Sequence, residues 1–213
     1  MIVRPLIFIL VLMTSSNLVA ADFTTPIGRV KDSVGRVISV LKDKSLARED
    51  SWQKIAAIID DGFDFRSMSQ SVLATNWKKA TPEERARFTE FFSQYIEETY
   101  RSRIEAYTDE EIIYGDEIIR GKRAVVETII KSATVEIPIN YKLKENDGEW
   151  FAYDVIVEGV SSVNNYRNIF AVIVKNEGME GLLSDIQRRI DRFKAAQEEE
   201  DNEDDTLEEM TDD

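Results

Sequence analysis

The sequence predicts an α+β domain in which helices pack on one face of an antiparallel, four-stranded sheet. Three observations carry this. Apolar residues recur at helical spacing as far as about residue 107, the pattern alternates between residues 111 and 157, and helical spacing returns from residue 162. Helices, then a strand meander, then helices indicate one α+β domain.

The elements follow in order. Phe23, Ile27, Val30, Val34, Val37, Ile38 and Leu41 mark a helix within residues 23–43. A second helix carries Trp52, Ile55, Ala56, Ile58 and Ile59, with Asp50 or Ser51 as its cap. A third, short one runs from Asp64 or Phe65 to about Thr75. Thr81-Pro82-Glu83-Glu84 supplies an N-cap, a proline at the first helical position and acids in the first turn. The long helix it opens reaches about Tyr107, with Phe88, Phe91, Phe92, Tyr95, Ile96, Tyr100 and Ile104 on its apolar face. Four strands are expected over Glu111–Ile119, Arg123–Lys131, Thr134–Lys144 and Glu149–Val157. In the third, Val135, Ile137, Ile139, Tyr141 and Leu143 alternate with polar residues or proline, so one face is buried and the other wetter. Asn146-Asp147-Gly148 is a hairpin signal. Glu158-Gly159 breaks the last strand, and Ser161 or Ser162 caps a helix bearing Val163, Tyr166, Ile169, Phe170 and Ile173. Helices over Ser162–Asn176 and Met179 to about Ala196 are separated by Gly178. No internal repeat is visible.

The N-terminus reads as an export signal. Met1–Arg4 is a short positive region, Pro5–Met13 is almost wholly apolar, and Val19-Ala20-Ala21 suits cleavage after Ala21. The apolar run is short for a bilayer span, which takes about 20 residues. Residues 1–21 are therefore expected to be a signal peptide, 22–196 the domain and 197–213 an acidic disordered tail. The formal charge of −14 sits largely in that tail, where residues 198–213 hold eleven acids and no base. The rest is only mildly acidic, which argues against nucleic acid as a partner and against lasting adhesion to an anionic membrane surface.

The chain has no His and no Cys. That removes the commonest general base, the Ser–His and Cys–His nucleophile systems, thiolate chemistry and structural zinc. Asp60-Asp61 followed by Asp64 lacks the spacing of a calcium loop, and Gly115, Gly121 and Gly148 sit at turns without forming a phosphate-cradling loop. No metal, cofactor or catalytic residue is implied. Asp154 is the polar residue that stands out inside an apolar strand, where it needs a partner such as Arg167 or a helix amide. For Arg167 two readings stay open: a salt-bridge partner, or a cation at a pocket mouth near a phosphate.

Two stretches carry a resemblance. WFAYDVIVEGVSSVNNYRNIF, Trp150 to Phe170, and FDFRSMSQSVLATNWKKATPEERARFTEFFSQYIEETY, Phe63 to Tyr100, resemble the MlaC family of periplasmic phospholipid-binding proteins, also called toluene-tolerance proteins, in the same order and at similar spacing. The match covers most of residues 50–190. It implies a curved sheet in a nuclear-transport-factor-like cone, with a deep apolar cavity between sheet and helices that takes acyl tails and leaves the headgroup at the surface. Carried onto this chain, the cavity wall would come from Phe92, Ile96, Tyr100 and Ile104 of the long helix, Ile137, Ile139, Val155 and Val157 of the strands, and Val160 and Val163. The implied role is a soluble periplasmic phospholipid carrier, not an enzyme. It would shuttle lipid between an outer-membrane lipoprotein–porin complex and an inner-membrane ABC transporter with an MCE-domain subunit, maintaining outer-membrane lipid asymmetry.

Such a cavity has a physical purpose. At roughly 0.8 kcal/mol per exposed methylene, two acyl chains carry on the order of 20 kcal/mol of hydrophobic free energy in water. Burying both calls for about 1,000 Å³, the upper end of ordinary pockets. The residues leave two other readings: an acid/base enzyme on the same kind of cone with Asp154 as base, or a chaperone-like module that binds apolar segments.

Overall fold

The computed structural model describes residues 23–211, and side-chain surroundings as far as residue 200. The expected signal peptide lies outside the described residues. Helix α1 (Pro26–Lys42) starts at Thr25, whose side chain accepts from the Gly28 amide, with proline in the first turn. Helix α2 (Arg48–Gly62) begins ahead of the expected Asp50 or Ser51 cap and has no side-chain cap. Helix α3 (Phe65–Leu73) is capped by Asp64. The expected single short helix to Thr75 is in fact broken at Ala74, whose φ of 50° turns the chain into a separate α4 (Thr75–Lys79). Thr81 and Glu84 complete a reciprocal capping box at the start of α5 (Pro82–Glu105).

Strands β1 (Glu111–Arg120), β2 (Arg123–Lys131), β3 (Glu136–Asn146) and β4 (Glu149–Val157) pair antiparallel in sequence order. A two-residue strand, β5 (Val160–Ser161), adds to β4, so the open sheet has five strands and not four. The reason is local: Glu158 at φ 50° and Gly159 at φ 83° fold a tight turn that returns Val160 opposite Val157. Asp147 and Gly148, at φ 52° and 88°, make the expected β3–β4 hairpin. Helix α6 runs Ser162–Thr211, with its axis interrupted at Gly178 (φ 73°) where the sequence places a break. Residues 197–211 continue that helix where the acid run leads one to expect coil. Gln, Glu, Leu and Met are good helix formers and no glycine or proline interrupts the run.

The buried apolar residues divide into two clusters. One is helical: Met68, Val72, Phe88, Phe92, Tyr95, Phe170, Leu182 and Ile186 of α3, α5 and α6 lie at its centre. Its aromatic rings meet edge to face, as for Phe92 with Tyr166 at 5.5 Å between centroids and with Phe170 at 5.9 Å. The other joins α1 to the sheet through Val30, Ala124, Val126, Leu143, Trp150 and Ala152. Phe63 packs against both. The helical group abuts the sheet through α3 and α6 against β4, while α5 packs chiefly on α6 and α3 and comparably on no strand.

Two buried guanidinium groups tie the pieces together. Arg29 donates to the Trp150 carbonyl at 2.8 Å and to Asp61 at 3.1 Å, and lies over the rings of Phe23 and Phe151. Arg101 donates to Glu105, Glu49 and Gln197, joining α5 to the start of α2 and the second half of α6. Sequence gave no warning of either, because an arginine in a helix is ordinarily a surface residue.

Candidate functional site

The sheet positions the candidate site through its register. Residues directly opposite on neighbouring strands share a face. Four rows therefore cross the face that α1 covers in part. Ile112, Ile130 and Ile137 form the first, and Tyr114, Thr128, Ile139 and Val157 the second. Val126, Tyr141 and Val155 form the third, and Ala124, Leu143 and Ala152 the fourth. A bulge opposite Lys142 and Leu143 makes Tyr153 the extra residue of β4. It shifts the phase of the strand, bringing Val155 and Val157 onto the same face as Ala152 while Asp154 joins Lys142 on the opposite one.

This inner face is covered unequally. The fourth row, Val126 and Trp150 are buried under α1. In the first two rows Ile112, Ile130, Ile137, Ile139 and Val157 are only half-buried and belong to neither core, as is Val155 at the end of the third. The apolar stripe of α1 continues in the same direction. Val30 and Val34 pack on the sheet, but Ile38 and Leu41, one and two turns further on, are half-buried outside both cores. The end of α1 lies beside the α5–β1 connection, where Lys42 Nζ stands 3.8 Å from the Asp109 carboxylate. There Tyr100 packs on the rim of the helical core, and Ile104, a turn on, belongs to neither core. The result is an incompletely filled apolar hollow between the uncovered half of the sheet, the end of α1 and the end of α5.

The expected wall residues fall into three groups. Ile137, Ile139, Val155 and Val157 are brought together on the inner face, with Tyr100 and Ile104 on successive turns of α5. Phe92, Ile96 and Val163 sit elsewhere, inside the helical core, because there α5 packs on α3 and α6 and not on a strand. Val160, the first residue of β5, is 61% exposed. The expectation missed Ile112, Ile130, Ile38 and Leu41. Alternation in β1 (Ile112, Tyr114) was a usable signal for the first, whereas the Ile129-Ile130 doublet hides the phase of β2.

Two clefts stand out on the surface, and neither is the deep chamber expected between sheet and long helix. One of about 480 Å³ lies among α3, α4 and α5, lined by Phe65, Arg66, Trp77, Arg85 and Thr89. The other, about 380 Å³, lies at the open end of the hollow, lined by Leu41, Lys42, Tyr107 and Asp109. Both are well short of the roughly 1,000 Å³ that two acyl chains call for.

Asp154 is 2% exposed and fully engaged. Its carboxylate accepts from Lys142 Nζ at 3.0 Å, from Ser161 Oγ at 2.7 Å and from the Val163 amide at 3.1 Å. The expected helix amide is thus a partner and Arg167 is not. Arg167 instead donates to the Ser71 carbonyl and to Asn164. A carboxylate at the first turn of α6 stabilises the helix N-terminus. A second acid, Glu97 of α5, faces Asp60 of α2. Burial first, then the Asp60 and Glu98 carboxylates, push its pKa up to about 8. No group of three acids with metal-binding spacing occurs among the described residues.

The comparisons bear on this geometry. The family model described as MlaC protein matches residues 31–188, and the chain belongs to that family. It is 25% identical over 190 residues to the toluene tolerance protein ttg2D of Pseudomonas putida, covering 86% of each chain. It is 24% identical over 123 residues to the intermembrane phospholipid transport system binding protein MlaC of Haemophilus influenzae, covering 55% of this chain and 58% of that one. The fold resembles that of the phospholipid-binding protein of Ralstonia solanacearum, solved in complex with a phospholipid. The TM-score is 0.70 at 22% identity, over 78% of this chain and 96% of the other.

Proposed function

We propose that the chain is a periplasmic phospholipid carrier that seats acyl tails in the hollow between the uncovered half of the sheet and the ends of α1 and α5. The single observation that carries the reading is the row of half-buried isoleucines and valines on an inner sheet face whose other half is tightly packed. An apolar surface of this kind that no element of the fold covers is a surface for an apolar ligand. Because α5 is held to α3 and α6 and not to the sheet, parting the two walls disrupts no packed core. The family and the lipid-binding names of its relatives agree with this reading.

The carrier would work by burial alone. With both tails out of water, the free-energy barrier to crossing an aqueous compartment falls by much of the ~20 kcal/mol the chains would otherwise cost. No bond is made or broken, and the carboxylate of Asp154 is engaged in holding β3, β5 and α6 together. Among the described residues no helix is long and apolar enough to cross a membrane. The leader-like sequence of residues 1–21 favours work in the periplasm between an outer-membrane lipoprotein–porin complex and an inner-membrane ABC transporter with an MCE-domain subunit. The test is purification without detergent followed by lipid mass spectrometry. The proposal expects diacyl phospholipid at stoichiometric levels, lost in Ile139→Asp. Protein that emerges free of lipid and takes none from phosphatidylglycerol vesicles would contradict it.

A further inference from the structure

The hollow has a definite inner end. Tyr114 and Tyr141 both project from the inner face and pack against the α1–sheet core, whose Val126 and Leu143 are completely buried behind them. The two residues lie diagonally across β2, Tyr114 opposite Thr128 and Tyr141 opposite Val126, and each is held. The Tyr141 hydroxyl is enclosed and meets Thr128, which itself donates to the Ile139 carbonyl at 2.9 Å. The Tyr114 ring lies under the Lys31 ammonium of α1, 5.3 Å from its centroid. On one side of the pair the inner face is packed solid. On the other stand Ile112, Ile130 and Ile137, half-buried and in neither core.

We propose that Tyr114 and Tyr141 are the floor of the acyl-chain site and so set the length of chain it accepts. The inference rests on the carrier reading above and adds its specificity. From Ile137 to Tyr141 is four strand residues, or about 13 Å of depth at ~3.3 Å per residue. A tail that reaches the rings gains nothing from further methylenes, because the next row is occupied by Leu143 and Ala124. Carbons beyond that depth must stay near the mouth in water, each costing about fourfold in affinity. Replacing a ring by a methyl group extends the hollow toward Val126 and gives those carbons a place.

The experiment offers the purified full chain a mixture of dimyristoyl- and distearoyl-phosphatidylglycerol vesicles and measures the ratio of the two lipids bound by mass spectrometry. Tyr141→Ala and Tyr114→Ala should raise the distearoyl share at least tenfold over the unsubstituted chain. Tyr141→Phe, which keeps the ring and loses only the hydroxyl, should leave the ratio unchanged. An unchanged ratio in both alanine variants, with lipid still bound, overturns the floor while leaving the carrier intact. Failure of the unsubstituted chain to bind either lipid overturns the carrier reading itself. Should the alanine variants not fold, Ile139→Trp decides the matter. It sets a ring one row nearer the mouth than Tyr141, level with Tyr114, so the ratio must move toward dimyristoyl, and a ratio that stays put refutes the proposal.

Discussion

At the scale of single residues, the structure separates groups that hold the fold from groups that face the hollow. Phe92 is completely buried against Phe88, Tyr166 and Phe170. Phe92→Ala should therefore cost about 3–5 kcal/mol in chemical denaturation, as expected for a truncated core aromatic. Ile139→Ala, on a half-buried residue, should cost less than half of that. Equal losses would mean that the inner face is packed as tightly as the helical core. Asp154→Asn removes the charge that faces Lys142 and one acceptor for Ser161 or the Val163 amide, and should cost about 3 kcal/mol while folded protein still binds lipid. Loss of lipid binding at unchanged stability would assign Asp154 a direct role that its geometry does not suggest. Glu97 gives a pH-dependent case. Its carboxyl ionises near 4.5 in the unfolded chain and about 8 in the folded one. Between those values the unfolded chain holds fewer protons, so this contribution to stability, complete below 4.5, is lost as pH rises to 8. Glu97→Gln should then stabilise the protein by roughly 1–2 kcal/mol near pH 8, allowing for solvent screening, and by nothing near pH 4. A gain that is the same at both pH values would refute the assignment.

At the scale of elements, the kink in α6 is the sharpest test. Gly178 adopts φ 73° and ψ −174°, an extended positive-φ conformation that alanine reaches only at a cost of about 1–3 kcal/mol. No heavy atom stands within 4 Å of the position a Cβ would take, so the strain is purely of backbone. Gly178→Ala should lower stability by that amount in thermal denaturation, and a stabilised variant would mean that the helix runs straight. This break was legible in the sequence, as were the Thr81 N-cap, the β3–β4 hairpin and the four long strands. Each depends on a local rule: which residue tolerates positive φ, which side chain caps, which period repeats. What the sequence did not disclose was non-local. Alternation gives the apolar side of β3, but only the pairing with β4 reveals that Tyr153 is bulged and that Val155, not Ile156, faces inward. The stripe on α5 shows that Phe92, Ile96, Tyr100 and Ile104 are sheltered. It does not show that the first two meet other helices while the last points away from both cores. The helical break at Ala74 and the β5 strand depend on positive φ at Ala74 and Glu158, residue types with no preference for it.

At the scale of the whole molecule, the fold is two cores with a seam. The α1–sheet core and the helical core are each dense, share Phe63, and are clamped at their margins by Arg29 and Arg101. Between them, the first rows of the sheet and the ends of α1 and α5 keep apolar side chains half in water. A protein without a ligand for that seam would be expected to close it, since each buried methylene is worth ~0.8 kcal/mol. The open seam is what links this architecture to acyl chains, and the position of the tails can be read directly. A phospholipid bearing a diazirine near the end of one acyl chain is loaded, photolysed, and the crosslinked peptides are identified by mass spectrometry. Labels on the strand segments around Ile137–Tyr141 and Val155–Val157 are the predicted result. Labels confined to the cleft of Phe65, Trp77 and Thr89, with none on the strands, would contradict it.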